Sequence, residues 1–527
     1  MSHAPRLAPR RSMRVALVAA VVGVSLVLSG CASMFLPSQA SKTTSTPTGE
    51  TVAADVAPYY HQVLTWKSCG GGLQCTTAKA PLDWSKPAGG SIHLALIRHL
   101  ASNGHSLGSL LVNPGGPGGS GYDFIKNSLT FAVDKTLEAN YDIVGFDPRG
   151  VNHSSAVKCY TNPKTLDNFI YSIPKGAIGS DEWITEEEQQ NKAFGADCAK
   201  DTGALLGHVD TVSAARDLDL LRAALGDKKL DYLGYSYGTL LGQTYANLFP
   251  KKTGRLVLDG VVDPTVTPFE LDADQAQGFE LDLRAFLAKC PSMKGCPFTG
   301  TVAQSEASIR GVLDKLDASP IRNSDGRELG SETMFTAIIF PLYNTANWPY
   351  LVDLFNDVSN GSAKVAFELA DAYNDRNANG TYQDNETEAF TAINCLDYPS
   401  DPTVSTMRAQ AAELNKLAPV FGHLMAYGGT SCYDWPYKPT RTAGALTAKG
   451  SAPILVVGTT GDPATPYAMA QHVATLLQNG HLITYHGNGH TAYNKDTTPA
   501  DECVNRAVDA FFVDGTVPKT DPQCGAK

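Results

Sequence analysis

One short segment, Gly234-Tyr235-Ser236-Tyr237-Gly238, constrains this chain more than any other. An apolar run, Leu230-Asp231-Tyr232-Leu233, precedes it, and a helix-forming stretch from Thr239 to Leu248 follows. A serine flanked by glycines at a strand-to-helix junction predicts a turn too tight for neighbouring side chains, which glycine alone relieves. Such a turn lifts the serine hydroxyl clear of the sheet and sets the unpaired N–H groups of the helix start beside it. Ser236 is therefore the candidate nucleophile. The rest of the chain must then supply a base, an acid to orient it and donors for an oxyanion.

Strand-like runs elsewhere alternate with helical ones. Ser91–Leu100, Ser109–Asn113, Tyr141–Phe146, Arg255–Val262, Pro453–Gly458 and His481–His486 read as strands. Between them, 122–140, 211–225, 467–478 and 501–512 read as helices, with Ala214, Leu218, Leu221 and Leu225 on one face of the second. This rhythm predicts an α/β fold with a mostly parallel central sheet and helices on both faces. It stops between about 266 and 445. That stretch reads as a mainly helical cap inserted into the core, with helices over 279–287 and 332–343.

In such sheets a ligand binds beyond the carboxyl ends of the strands. Asp462 follows the 453–458 strand, and His490 follows the last strand in a glycine-flanked loop. Histidine titrates near neutrality and suits the base; a carboxylate fixes its tautomer. Asp259 competes as the acid, and His481 and His486 compete as the base. Oxyanion donors are expected from the backbone N–H of Tyr237 and from Gly115 or Gly116 in the run Pro114-Gly115-Gly116-Pro117-Gly118-Gly119. No Gly-Lys-Ser/Thr follows those glycines, which argues against phosphate binding. Asp147-Pro148-Arg149-Gly150 reads as a structural turn with an internal ion pair.

The N-terminus sets a compartment. Arg6, Arg10, Arg11 and Arg14 precede an apolar run from Val15 to Leu28, too short to span a membrane comfortably. Leu28-Ser29-Gly30-Cys31 then has the form of a lipobox, with lipid expected on Cys31; an ordinary export signal is the rival reading. Residues 1–30 are read as a lipoprotein signal peptide and 31–57 as a flexible tether, since the Ser/Thr-rich stretch from Ser38 cannot bury a core. Residues 58–265 form the first part of the core, 266–445 the cap and 446–527 the second part. The protein is expected to be exported and lipid-anchored to the outer face of a bacterial cell membrane, kept there or released.

Cysteine usage fits export. Of eleven cysteines, Cys31 is set aside for the lipid, and the other ten fall in sequence-adjacent couples: Cys69-Cys75, Cys159-Cys198, Cys290-Cys296, Cys395-Cys432 and Cys503-Cys524. These are read as disulfides. No Cys-x-x-Cys or His-Glu-x-x-His occurs, so neither a metal nor a cofactor is expected. A net charge of −11 argues against nucleic acid as a partner.

Several segments together resemble a known family: Asn113 to Gly121, Gly145 to Gly150, Ala215 to Asp219, Gly234 to Thr239, Leu258 to Pro264 and Gly461 to Pro466. The chain resembles bacterial secreted tripeptidyl aminopeptidases and related mycobacterial lipoprotein serine proteases, in the proline-iminopeptidase branch of the α/β-hydrolases. The resemblance implies a triad of Ser236, Asp462 and His490, with Thr465 also lining the site. It implies peptide substrates with a free N-terminus, cut through an acyl-enzyme to release short peptides. An esterase or lipase is the alternative, because the same machinery cleaves both bonds. Pro114 stands where proline iminopeptidases carry a histidine, so that side chain has no counterpart here.

Overall fold

The computed structural model describes residues 43–399, 403–495 and 502–525. The expected signal peptide, the lipid-attachment residue Cys31 and the tether up to residue 42 lie outside the described residues.

Ten strands form one sheet, and two more form a small hairpin. In chain order the strands are β1 Lys67–Gly70, β2 Leu73–Pro81, β3 Ser91–His99, β4 Ser109–Asn113, β5 Asp142–Phe146, β6 Leu230–Tyr235 and β7 Thr253–Asp259. Then come β8 Ile321–Arg322, β9 Glu328–Leu329, β10 Ile454–Gly461, β11 Gly480–Asn488 and β12 Gln523–Gly525. The main sheet runs β1-β2-β3-β5-β4-β6-β7-β10-β11-β12, and β8 pairs with β9. Pairing is antiparallel from β1 through β3 to β5 and parallel from β5 to β12.

Strand periodicity divides the core between the two faces of the sheet. Leu111, Val144, Tyr232, Leu256, Leu258, Ile454 and Val456 pack on one face with the helices Thr211–Leu225 and Tyr237–Leu248. Their neighbours in sequence, Leu110, Val112, Ile143, Leu233, Val257, Leu455 and Val457, pack on the other with Gly121–Ala132, Lys135–Asn140 and Glu502–Asp514. Strands buried on both sides read as continuous apolar runs, as in Ile454-Leu455-Val456-Val457. The helix expected over 122–140 is two helices, because Asp134 caps a new start by accepting from the Thr136 and Leu137 amides.

The segment after Asp259 is mainly helical, with Pro268–Lys289, Val302–Ala318, Ser331–Leu342, Trp348–Ser359, Lys364–Tyr373, Glu386–Asp397 and Val404–Leu417. Most of these surround a separate apolar cluster that includes Phe286, Leu313, Ile338, Leu351 and Phe367. Tyr171, from the helix Pro163–Tyr171 that precedes β6, joins that cluster, and Arg376 pairs with Asp167 of the same helix. The inserted segment is thus pinned to an excursion of the first half.

Two expectations are corrected. Residues 43–57, read as tether, are packed against the core: Ser45 N–H donates to Leu64 O at 2.9 Å and Thr48 N–H to Ala223 O at 2.9 Å. Glu50 there accepts from the buried Arg222 and from Lys252. The composition concealed this, because charge and backbone pairing hold the segment with only Val52 and Val56 packed on the core. Secondly, Arg149 does not pair with Asp147. Its guanidinium is fully buried and bidentate on Asp217, with both contacts at 2.7 Å, while Asp147 accepts from Ser120 Oγ and the amides of Tyr122 and His153.

All five cysteine couples are disulfides. Their closed loops differ, from a separation of 6 residues for Cys69–Cys75 to 39 for Cys159–Cys198. Loop-closure entropy predicts about 2 kcal/mol for the shorter and about 4 kcal/mol for the longer. Replacing both cysteines of the Cys159–Cys198 bond by alanine is expected to lower Tm more than the same change at Cys69–Cys75. Equal shifts would contradict the loop argument.

Candidate active site

Strand β6 ends at Tyr235, the helix Tyr237–Leu248 begins at once, and Ser236 bridges them with φ 54° and ψ −127°. A non-glycine residue in that region is strained and persists only where its surroundings over-determine it. They do so here. Ser236 N–H donates to Asp259 O at 2.9 Å, and Ser236 O accepts from the Thr239 amide and hydroxyl at 2.9 and 2.6 Å. Thr239 Oγ1 in turn accepts from Val262 N–H at 3.0 Å, stitching this strand-to-helix elbow to the segment that follows β7. A methyl group on Gly234 would come within 2.5 Å of Gly238 O, so glycine is required for the close approach across the turn.

Asp462 follows β10 directly. Its side chain is fully shielded from solvent and receives four donors. Ala464 and Thr465 donate backbone N–H to Oδ1 at 3.0 and 2.8 Å, and Thr491 donates to Oδ2 at 3.1 Å. The fourth donor is His490 Nδ1, 2.9 Å from both oxygens. Burial alone would push this carboxyl up, but the charge and hydrogen bond of His490 and the Thr465 amide outweigh it and hold it below the usual carboxylate range.

His490 lies in the loop after β11. Its N–H donates to Tyr343 O of the inserted segment at 2.9 Å, and the Tyr343 ring meets the imidazole edge-on at 5.5 Å. With Nδ1 turned to Asp462, neutral imidazole presents Nε2 as the lone-pair nitrogen. Nε2 is buried without a hydrogen-bond partner among the described residues. Ser236 and His490 border the same turn. Asp259 O holds the serine amide, and a methyl on the next residue, Gly260, would lie 2.9 Å from His490 Cε1. Thr465 is buried here too, with Oγ1 3.3 Å from His490 Nδ1.

The competing residues are engaged elsewhere. Asp259 accepts from the Ala492 and Tyr493 amides at 2.8–3.0 Å, and its carboxyl is pushed up to about 6 by burial against those bonds. It ties the histidine loop to β7 rather than touching the imidazole. His486 Nε2 pairs with Gln523 Oε1 at 2.8 Å, and His481 lies near the opposite end of β11, in register with Leu455.

Of the two expected glycine donors, Gly115 is ruled out. Its N–H donates to Asn113 Oδ1 at 3.0 Å. It lies against the elbow nonetheless, since a methyl there would come within 2.9 Å of Ser236 Cβ and 3.1 Å of Tyr237 N. Gly116, with φ 107°, remains the candidate for the second donor. The sequence reading missed Asn113, whose side chain sets this loop, and Thr211 and Asp397, which hold the Tyr237 side chain. Only a contact map finds such partners, for they lie 26 and 160 positions from Tyr237.

A profile of the family described as "TAP-like protein" matches residues 418–524. Serine protease Hip1 of Mycobacterium tuberculosis is 34% identical over 532 residues, covering 96% of each chain. The chain belongs to the tripeptidyl-aminopeptidase-like family of α/β-hydrolases. Carboxylesterase B of M. tuberculosis is also 34% identical, over 96% of this chain and 98% of its own. Tripeptidyl aminopeptidase of Streptomyces lividans is 29% identical over 88% of this chain and 86% of its own. This member of the family is a serine hydrolase.

The two aspartates separate by mutation. Asp462→Asn is expected to lower kcat by about 10⁴-fold, the loss typical when a triad carboxylate no longer selects the imidazole tautomer. Asp259→Asn is expected to lower Tm with a far smaller loss of kcat in the folded fraction. The reverse ranking would assign the acid to Asp259.

Proposed function

We propose that the protein is a serine exopeptidase that releases short N-terminal peptides, as a tripeptidyl aminopeptidase does, through an acyl-enzyme. The observation that carries this reading is the buried Asp462–His490 couple at the Asp259-Gly260 turn, which also holds the amide of the strained Ser236. Ser236 Oγ attacks the scissile carbonyl as His490 Nε2 takes its proton. The imidazolium that forms is balanced by Asp462, whose remaining lone pairs are held by three amides. The N–H groups of Tyr237 and Gly116 receive the negative oxygen, each worth about 2.7–4 kcal/mol by analogy with a typical oxyanion donor. Collapse returns the proton from Nε2 to the leaving amine. Water then repeats the cycle in reverse, regenerating the serine. Thr465, within reach of both Nδ1 and the Asp462 carboxylate, steadies the couple.

Residues 266–445 act as a cap in this reading. The helix Pro268–Lys289 lies over the Asp462 loop, with Gln275 Nε2 donating to Ala464 O at 2.9 Å. A cap over the strand ends admits a chain terminus more readily than a folded loop. The lipobox supports export and anchoring through Cys31 at the outer face of the cell membrane. An esterase is the second reading, favoured by the relative named carboxylesterase B.

A tripeptide anilide with a free amine is expected to be cleaved well and its N-acetylated twin poorly. Equal rates would remove the exopeptidase reading, and turnover of esters alone would favour the second. Ser236→Ala is expected to reduce kcat by about 10⁴–10⁶-fold while Tm is retained. Cys31→Ala is expected to shift the protein from the detergent phase to the aqueous phase on Triton X-114 partitioning. An unchanged partition would refute the anchor.

A further inference from the structure

One helix of the inserted segment does not pack with the others. In Glu386–Asp397 the apolar residues Ala389, Ala392, Ile393 and Leu396 recur at helical spacing and share one face. All four are buried in the apolar cluster of the catalytic core, together with Tyr237, Leu240 and Leu241 of the elbow helix. By packing, this helix belongs to the core although it arrives with the insertion.

Its two ends meet the two sides of the oxyanion site. At the start, Asn385 donates its amide to Gly150 O and Val157 O at 2.9 and 2.8 Å, locking the helix onto the core. The first turn then backs the glycine loop. A methyl on Gly118 would come within 2.9 Å of Glu386 O and 3.0 Å of Phe390 N, and one on Gly116 within 3.3 Å of Glu386 Oε1. At the other end, Asp397 is fully buried and accepts from the Thr211 amide at 3.0 Å and from the Thr211 hydroxyl. The Thr211 hydroxyl has one proton and gives it to Asp397, so the phenol of Tyr237 donates to Thr211 Oγ1. The chain Tyr237–Thr211–Asp397 therefore runs from the residue after the nucleophile to the last residue of the inserted helix. The Cys395–Cys432 disulfide and the Thr440 N–H bond to Leu396 O at 2.7 Å fasten that end.

We propose that the helix Glu386–Asp397 is a positioning element of the oxyanion site, and that Thr211 and Asp397 are positioning residues that aim the Tyr237 amide through its side chain. The inference rests on the acyl-enzyme reading above. Its physical basis is the steep dependence of oxyanion stabilisation on donor placement, where a displacement of about 1 Å can cost on the order of 10²-fold in rate. A tyrosine whose ring is wedged in the core and whose hydroxyl is tethered cannot swing its own peptide plane. The same helix holds the glycine loop, so one rigid body sets the spacing between the two donors. The insertion is then part of the catalytic machinery and not only a cover over it.

The test compares wild type with Thr211→Val, Thr211→Ser and Tyr237→Phe, using a tripeptide anilide and a p-nitrophenyl ester. A peptide boronate, which forms a tetrahedral adduct on the serine, serves as the transition-state probe. Thr211→Val and Tyr237→Phe are expected to lower kcat by about 10- to 100-fold with KM within about twofold, and to weaken the boronate by the same factor as kcat. Thr211→Ser, which keeps the hydroxyl, is expected to restore most of both. Tyr237→Phe retains the ring, so it stands in if Thr211→Val fails to fold. The proposal is overturned if these variants turn over like wild type, if the loss falls on KM alone, or if Thr211→Ser loses as much as Thr211→Val. Failure of a fluorophosphonate to form an adduct on Ser236 of the wild type overturns the acyl-enzyme reading and this proposal with it, a result distinct from active variants.

Discussion

A carboxylate sealed from water at the end of β10 is tolerable only because four donors converge on it, three of them backbone amides. Desolvating an ion costs several kcal/mol, and a set of charge-assisted bonds in fixed geometry is what offsets that cost. The arrangement at Asp462 has a direction. Three amides hold the carboxylate in place, so the histidine must come to it, and Nδ1 is turned inward. Nε2 is thereby left facing the inside of the site with no partner among the described residues. The tautomer, the ring orientation and the free basic nitrogen all follow from one buried charge.

Around that charge the fold works as a set of clamps between distant strands. Asp259 at the end of β7 accepts from the amides just after His490, and its backbone carbonyl holds the Ser236 amide. The His490 loop and the Ser236 turn are thus fastened to opposite sides of one residue. The inserted segment adds a further layer. Tyr343 O fixes the His490 backbone from above, and Asp397 reaches the elbow through Thr211. Sheet and insertion therefore both hold the candidate site.

Much of the site was legible in the sequence because it is written in local turns at strand ends. Gly234 to Gly238, Gly461-Asp462-Pro463 and Gly489-His490 each announce a sharp turn after an apolar run. The parallel sheet was legible for a related reason, since β4 and β10 are buried on both faces and carry continuous apolar runs, Leu110 to Val112 and Ile454 to Val457. Long-range partners were not legible. The partner of Arg149 is Asp217, not the adjacent Asp147, because the guanidinium points across the core rather than along its own turn. Gly115 and Gly116 look alike in sequence, yet the Asn113 side chain claims only the first. The core role of the helix Glu386–Asp397 was hidden within a stretch most of whose other helices surround a different cluster. Residues 43–57 have the composition of a tether and are nonetheless ordered by Glu50 and by backbone pairing.

The central claim is that a hydroxyl, an imidazole and a carboxylate from separate strand ends act as one unit. Its most direct test is peptide mapping by mass spectrometry after reaction with a fluorophosphonate. A single adduct on Ser236, lost when His490 is replaced by alanine, is the expected result. An adduct on another residue, or full labelling of Ser236 without His490, would contradict it.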